Sequence, residues 1–182
     1  MLLVIFISIC ILFIIFIFPF TKMKSSTNTS SNELKNKMLD LGFDLEKRVI
    51  TWFYIAGHPE IDSTNIFTSI IPKDNFLYIF EDKIIEMPKK IGRINCNQIK
   101  KIVIEDKSTI EKRVTMGRIL LTGIFALAWK KIDKNEKSFL IIEWVDERFE
   151  HETIFEFNGE SSLQEANTAR NKLISFVNSQ KK

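Results

Sequence analysis

The sequence has little of several residue types that support chemistry. Its 182 residues include only two cysteines, two histidines and six glycines. Cys10 and Cys96 are far apart, so the sequence provides no disulfide framework and no CxxC metal pair. A reducing compartment is permitted by this cysteine usage, but it is not required.

The scarcity of glycine and histidine also excludes familiar catalytic motifs. The sequence has no GxSxG elbow, no GxxxxGK[ST] loop, no HExxH pair and no glycine-rich dinucleotide fingerprint. His58 lies in the turn-forming stretch GHPE and His151 in the charged connection DERFEHE, where a turn or solvated histidine is expected. We therefore expect no catalytic residues, no metal and no cofactor. An enzyme whose site these motifs do not reveal remains the alternative.

A large excess of one charge is also absent. The formal net charge is +3, and Lys22 and Lys24 account for two of these units. Domains that bind nucleic acids usually carry a basic excess or stripe. We therefore expect no nucleic-acid partner.

The N-terminus carries the longest apolar run. Residues 2–20 contain no charged side chain, and as a helix they would extend about 28 Å, close to the hydrocarbon thickness of a bilayer. This predicts a transmembrane anchor at residues 1–21. A secretory signal peptide would need a cationic start and small residues before its cleavage site, and a lipoprotein signal would need a small residue where Ile9 stands.

No Lys or Arg precedes the apolar run. Four lysines follow it, namely Lys22, Lys24, Lys35 and Lys37. By the positive-inside rule, this predicts a single-pass protein of the cell membrane whose C-terminal domain faces the cytoplasm. Residues 24–32 are polar and predict a flexible linker, which we place at residues 22–32. Residues 33–48 predict a short helix that ends near Gly42, followed by a lead-in to the domain.

The rest of the chain is dominated by short β-branched and aromatic runs separated by turn-forming residues. Seven strands are predicted, at residues 49–56, 66–71, 76–80, 83–87, 99–105, 139–145 and 153–157. Residues 162–180 then predict an amphipathic helix, in which Ser162 and Glu165 have capping-box spacing. The predicted fold class is α+β, mainly β: a bent antiparallel sheet or open barrel over residues 49–182, capped by the C-terminal helix and preceded by the transmembrane helix.

The order of several segments resembles the pleckstrin-homology-like (PH-like) domains of poorly characterised bacterial proteins. The segments are YIAGHPEI, PKKIGRINCNQIKKIVIEDKS, TMGRILLTGIFALAWKK, LIIEW and IFEF, followed by the final helix, and the resemblance covers roughly residues 50–178. It implies a PH-like barrel, a fold used to bind lipid headgroups, peptides and protein partners. The N-terminal anchor departs from many such proteins, and fold alone does not determine function.

Residues 118–131, RILLTGIFALAWKK, form a second apolar segment, which is too short to span a bilayer. It could be a buried part of the core, a contact with the membrane interface or a docking groove for a partner helix. In the membrane interpretation, an aromatic ring lies at headgroup depth and four cations reach anionic phosphates. The residues of this membrane contact are Arg113, Arg118, Trp129, Lys130 and Lys131.

A second basic cluster, Lys89, Lys90 and Arg93, lies in PKKIGR near a predicted strand end. It could receive an anionic headgroup or be a solvated turn. We therefore expect a membrane-anchored, non-enzymatic module that binds lipid headgroups or a protein partner at the bilayer. The alternative is a scaffold that recruits a membrane-complex partner without recognising lipid.

Overall fold

A computed structural model of the chain describes residues 33–83, 87–110 and 137–181. The predicted anchor (1–21) and linker (22–32) lie outside these residues. In the described residues, no helix combines the length and the apolar character that crossing a membrane requires. The chain divides into two compact units, residues 1–42 and 43–182.

In the first unit, residues 33–40 form a helix. A salt bridge between Glu33 and Lys37, spaced i, i+4, joins adjacent turns of this helix at 2.7 Å. Gly42 follows the helix with a φ of +76°, and its N–H donates to the carbonyl of Leu39. Glycine adopts this left-handed conformation without a steric penalty, which explains why the predicted helix ends here.

The second unit contains one open antiparallel sheet of seven strands in the order β4-β3-β2-β1-β7-β6-β5. The strands are β1 (Val49–Ala56), β2 (Ile66–Lys73), β3 (Phe76–Glu81), β4 (Lys89–Asn95), β5 (Ile99–Asp106), β6 (Lys137–Val145) and β7 (Glu150–Asn158). Short 3-10 helices at Leu45–Lys47 and Cys96–Gln98 precede β1 and β5, and a helix at Ser162–Gln180 ends the unit. The prediction of a mainly β protein with seven strands and a C-terminal helix is confirmed.

The fourth strand is not where the sequence placed it. A strand was predicted at 83–87, but Lys83 and Met87 belong to no strand, and residues 84–86 lie outside the described part. The strand beside β3 is instead Lys89–Asn95, which pairs antiparallel with β3 through register partners such as Tyr78 and Arg93. The PKKIGR segment is therefore largely strand rather than turn.

The inner face of the sheet carries the main hydrophobic core. Leu77 and Ile79 of β3 alternate with residues on the opposite, outer face, and both are fully buried in the main cluster. The C-terminal helix adds Ala166, Ala169 and Leu173 to this cluster. The helix therefore covers the inner face of the sheet.

The predicted start of the C-terminal helix needs a correction. Ser161 rather than Ser162 occupies the N-cap, and its side chain makes no capping hydrogen bond. The Ser161 hydroxyl instead donates to Glu165 Oε1 at 2.6 Å, and the indole N–H of Trp52 donates to Glu165 Oε2 at 3.1 Å. Glu165 therefore ties the helix to β1 and does not complete a capping box.

Side chains from other elements bind the backbone of both edge strands. On β5, the carbonyls of Ile102 and Ile99 accept hydrogen bonds from Arg170 Nε and Lys181 Nζ, each at 3.0 Å. On β4, the carbonyl of Arg93 lies 3.1 Å from His58 Nε2. The open sheet therefore has polar partners along part of each edge.

A second, smaller cluster lies on the outer face of β1, β6 and β7. It contains Ile55, Phe139, Ile141 and Ile154, together with Ile110, which follows β5. β6 is consequently apolar on both faces, since Leu140 and Ile142 belong to the main core. Such a strand appears in the sequence as a continuous apolar run rather than as an alternating one.

Candidate functional site

The outer face of β3 and β4 combines aromatic rings with cations. Phe76, Tyr78 and Phe80 alternate along β3 with the core residues, so they lie on the outer face. Across the strand pair, Tyr78 is opposite Arg93 and Phe80 is opposite Lys90. Because paired residues of an antiparallel sheet share a face, both cations lie on the outer face.

Each of three cations on this face lies over an aromatic ring. Lys73 Nζ is 4.7 Å from the centroid of the Phe43 ring, and Lys90 Nζ is 5.7 Å from that of Tyr78. The Arg93 guanidinium is 5.0 Å from the centroid of the Phe76 ring. We call Lys73, Lys90 and Arg93 with these rings the outer basic face.

Cation–π contacts of this kind contribute about 0.5–1 kcal/mol each at exposed sites. An aromatic ring restricts the position of a cation but leaves its charge in place, whereas a carboxylate would neutralise that charge. Lys90 and Arg93 are exposed, so their charges remain accessible to an anion. The outer basic face can therefore attract anionic groups with partly ordered side chains.

Phe43 supports the centre of this face. Its ring makes edge contacts with Tyr78 and Phe80, both at a centroid distance of 5.1 Å. Phe43 precedes the sheet in sequence and lies in the second unit. The aromatic residues therefore form a connected platform beneath Lys73 and Lys90.

The structure divides the predicted basic cluster. Lys90 and Arg93 lie together on the outer face, whereas Lys89 is opposite Glu81, on the other face of the strand pair. Lys73, which the sequence did not single out, takes part in the outer basic face instead. The aromatic alternation in FLYIF was the signal that could have located the face, but the contact with Phe43 is tertiary and has no local signature.

A cleft of about 380 Å³ adjoins this face, and Arg93 contributes to both. Its lining also includes His58, Trp144, Asp146, Asn95 and Gln98. Arg93 and Asp146 give the cleft charges of both signs. It is therefore less suited to a simple anion than the outer basic face.

His58 begins a turn, as expected, because its carbonyl accepts a hydrogen bond from the N–H of Ile61, but it is buried rather than solvated, with 4% of its surface exposed. Its Nδ1 accepts from the backbone N–H of Glu60 at 3.2 Å, so Nε2 carries the proton and donates to the carbonyl of Arg93. Burial lowers the pKa of His58, in agreement with this neutral form. Both ring nitrogens have backbone partners, which leaves neither available as a general base.

Trp144 lies between the two histidines. The centroid of its ring is 5.4 Å from that of His58 and 4.3 Å from that of His151. Its indole N–H donates to Thr153 Oγ1 at 2.8 Å. The three rings therefore form a stack that joins the loop after β1 to strands β6 and β7.

Asp146 organises the turn between β6 and β7. Its Oδ1 accepts from the backbone N–H groups of Arg148 and Phe149, and its Oδ2 lies 2.7 Å from His151 Nε2. The Arg148 N–H, followed by the bonds from His151 and Phe149, lowers the pKa of Asp146 to about 2. The carboxylate of Asp146 therefore stabilises the turn through these hydrogen bonds.

The predicted membrane contact, Arg113, Arg118, Trp129, Lys130 and Lys131, lies outside the described residues. Within the described ranges, no group of three or more His, Cys, Asp or Glu side chains is placed to hold a metal ion. A scan against protein-family models and searches of curated proteins and of solved structures found no match to this chain.

Proposed function

We propose that this chain is a membrane-anchored, non-enzymatic PH-like module that binds anionic lipid headgroups at the cytoplasmic face of the cell membrane. The observation that carries the proposal is the outer basic face, where Lys90 and Arg93 are exposed and lie over aromatic rings. The seven antiparallel strands followed by a C-terminal helix supply the elements that a PH-like barrel needs. The apolar run at residues 2–20 supports the anchor.

The energy available from such a contact is modest. Near an anionic leaflet each Lys or Arg contributes roughly 1 kcal/mol, so the two exposed cations of the outer basic face, Lys90 and Arg93, supply about 2 kcal/mol. This corresponds to weak binding for a free domain. An anchor holds the domain beside the bilayer, where a weak contact becomes effectively intramolecular and can orient the domain.

Sedimentation with vesicles tests this proposal. Residues 43–182 form one compact unit that contains all seven strands and the C-terminal helix, and its folding can be checked by circular dichroism. Because the contact is weak for a free domain, the assay needs lipid at millimolar concentration or above, where we expect the unit to sediment with vesicles that contain phosphatidylglycerol and not with pure phosphatidylcholine. Replacing Lys90 and Arg93 by Glu should remove about 2 kcal/mol of attraction, or roughly thirtyfold in affinity, and the two new negative charges should weaken binding further.

A matched control is available on other elements. Lys101 on β5 and Arg148 in the β6–β7 turn are also one exposed lysine and one exposed arginine. Replacing both by Glu makes the same change in net charge but should weaken binding much less. Equal losses in the two double variants would show that only net charge matters, and the outer basic face would then be rejected as the site.

The predicted contact around residues 118–131 has its own test in the same assay. Replacing Lys130 and Lys131 by Glu should weaken sedimentation with anionic vesicles if this segment touches the membrane. Unchanged binding would discard the segment as a lipid contact. The result is independent of the test of Lys90 and Arg93.

The alternative function is recruitment of a protein partner without lipid recognition. Two grooves, of about 580 and 570 Å³, run along the C-terminal helix. Lys172 lines both, so the grooves adjoin one another, and this extended surface favours the alternative. Trp52 and Ile50 line the first groove and Phe176 the second. Failure of the 43–182 unit to bind any anionic vesicle would favour this function over the first.

A further inference from the structure

Three large apolar side chains are exposed close together on β1 and β2. Ile50 is 65% exposed, Phe67 50% and Trp52 38%. The ring centroids of Trp52 and Phe67 are 6.2 Å apart, and Ile50 is two residues from Trp52 along β1. Exposed apolar residues are ordinary when they are scattered, but a contiguous group marks a surface that contacts something. We call Ile50, Trp52 and Phe67 the β1–β2 apolar patch.

The register of the sheet places Ile50 and Phe67 on the same face as the cations, whereas Trp52 is the unpaired residue at a bulge in β1 and lies beside them. Ile50 pairs with Ser69, Ser69 with Phe80, and Phe80 with Lys90. These four residues form one row across β1, β2, β3 and β4, about 14 Å long at the usual spacing of strands. Ile50 and Lys90 are therefore the two exposed ends of one row on the outer face.

Trp52 has the chemistry of a residue at a membrane interface. Its indole N–H donates to Glu165 Oε2, which fixes the ring, while more than a third of the side chain is exposed. Tryptophan is favoured where an apolar ring meets a polar boundary, as in the headgroup region of a bilayer. Apolar residues flanked by Lys and Arg are the composition that binds an anionic membrane surface.

We propose that the β1–β2 apolar patch inserts into the headgroup and acyl-chain boundary of the bilayer while Lys90 and Arg93 contact anionic phosphates. We therefore assign a lipid surface as the occupant of the patch, because the cations on the same face carry charges opposite to those of anionic lipid headgroups. This inference rests on the proposed function and adds to it that the outer face of β2, β3 and β4, with the adjoining end of β1, is the membrane-facing part of the domain. A second copy of the chain or another protein covering the patch would contradict it.

Quenching of tryptophan fluorescence by brominated acyl chains measures insertion directly. The full chain carries Trp52, Trp129 and Trp144, so Trp129→Phe leaves Trp52 and the buried Trp144 as emitters. A second variant, Trp52→Phe with Trp129→Phe, reports Trp144 alone. In vesicles that contain phosphatidylglycerol and brominated phosphatidylcholine, we expect clear quenching in the first variant and little in the second. Quenching that is equal in the two variants would overturn the proposal.

Two further variants separate this inference from the proposed function. In the full chain, the double variant Ile50→Ser with Phe67→Ser should insert less well into the bilayer. We expect the inserted fraction of Trp52, measured by its quenching, to fall about tenfold. Two results together would show that the patch inserts without recognition of anionic lipid. Quenching of Trp52 would be as strong in pure phosphatidylcholine as in vesicles that contain phosphatidylglycerol, and it would be unchanged by Lys90→Glu with Arg93→Glu. If charge reversal abolishes sedimentation of the 43–182 unit while Trp52 is never quenched, the proposed function stands and the patch is rejected.

Discussion

The imidazole of His58 lies so close to Gly92 that a β-carbon on residue 92 would be 2.9 Å from His58 Cε1. His58 comes from the loop after β1, and Gly92 belongs to β4, the strand at one edge of the sheet. On its other side, His58 contacts Trp144 of β6, which is next to the opposite edge strand. One side chain therefore contacts one edge strand of the open sheet and the strand next to the opposite edge.

The first prediction concerns this close contact. Gly92→Ala should lower the free energy of unfolding by about 1–3 kcal/mol, because the added methyl group overpacks against the ring. Urea denaturation monitored by circular dichroism measures the change. In a His58→Ala background the same substitution should cost much less, since the ring is gone. Additive losses in the double variant would mean that the two residues do not interact.

The pH dependence of stability is the second prediction. Burial lowers the folded-state pKa of His58 below its ordinary value of 6.5, so the unfolded chain binds a proton more readily. The contribution of His58 to stability is thus present above pH 6.5 and is lost as the pH falls below it. His58→Gln should remove this contribution, so its unfolding free energy should decline less than that of the wild type between about pH 7 and pH 5. Parallel curves for the two proteins would refute the assignment.

A buried ion pair gives the third prediction. Lys137 Nζ lies 2.8 Å from Glu156 Oε1, and the two side chains are 13% and 5% exposed. Glu156→Gln would leave the Lys137 charge buried without its partner and should cost about 3–5 kcal/mol of stability. Glu150→Gln, which breaks an exposed pair with Lys100, should change stability little. Comparable losses in both variants would show that burial does not determine the cost.

The fourth prediction concerns the thiol of Cys96, which is fully buried. Burial raises its pKa, which disfavours the reactive thiolate. In a Cys10→Ser chain, Cys96 should therefore react slowly with a thiol reagent under native conditions and rapidly in urea. Fast native labelling would show that the start of the short 3-10 helix at Cys96–Gln98 opens to solvent. A test of membrane orientation accordingly needs a cysteine introduced at an exposed position such as Asn97.

The sequence predicted most strands because their physical signals are local. Alternation in FLYIF and the apolar run in FLIIEWV reflect one or two buried faces, and both segments are strands. β4 was missed because it is an edge strand with two lysines, an arginine and a glycine, a composition also typical of turns. Its identity depends on pairing with β3, which is a long-range interaction.

The candidate site was only partly predictable for the same reason. The cations of PKKIGR were visible as a cluster, but whether neighbouring residues share a face depends on strand register. The bulge beside Phe80 places Lys90 and Arg93 on one face and Lys89 on the other. The contacts of Lys73 with Phe43 and of His58 with Trp144 join segments distant in sequence, so no spacing rule could reveal them.

The hydrogen bonds from Arg170 and Lys181 to β5 have a consequence for self-assembly. An uncovered edge strand can template pairing with a strand of another molecule, which leads to aggregation. Here, Arg170 in the middle of the C-terminal helix and Lys181 just after its end occupy carbonyl groups of β5 that an incoming strand would need. A chain truncated before Arg170 would lose both of these bonds, and its β5 edge would become a starting point for intermolecular sheets.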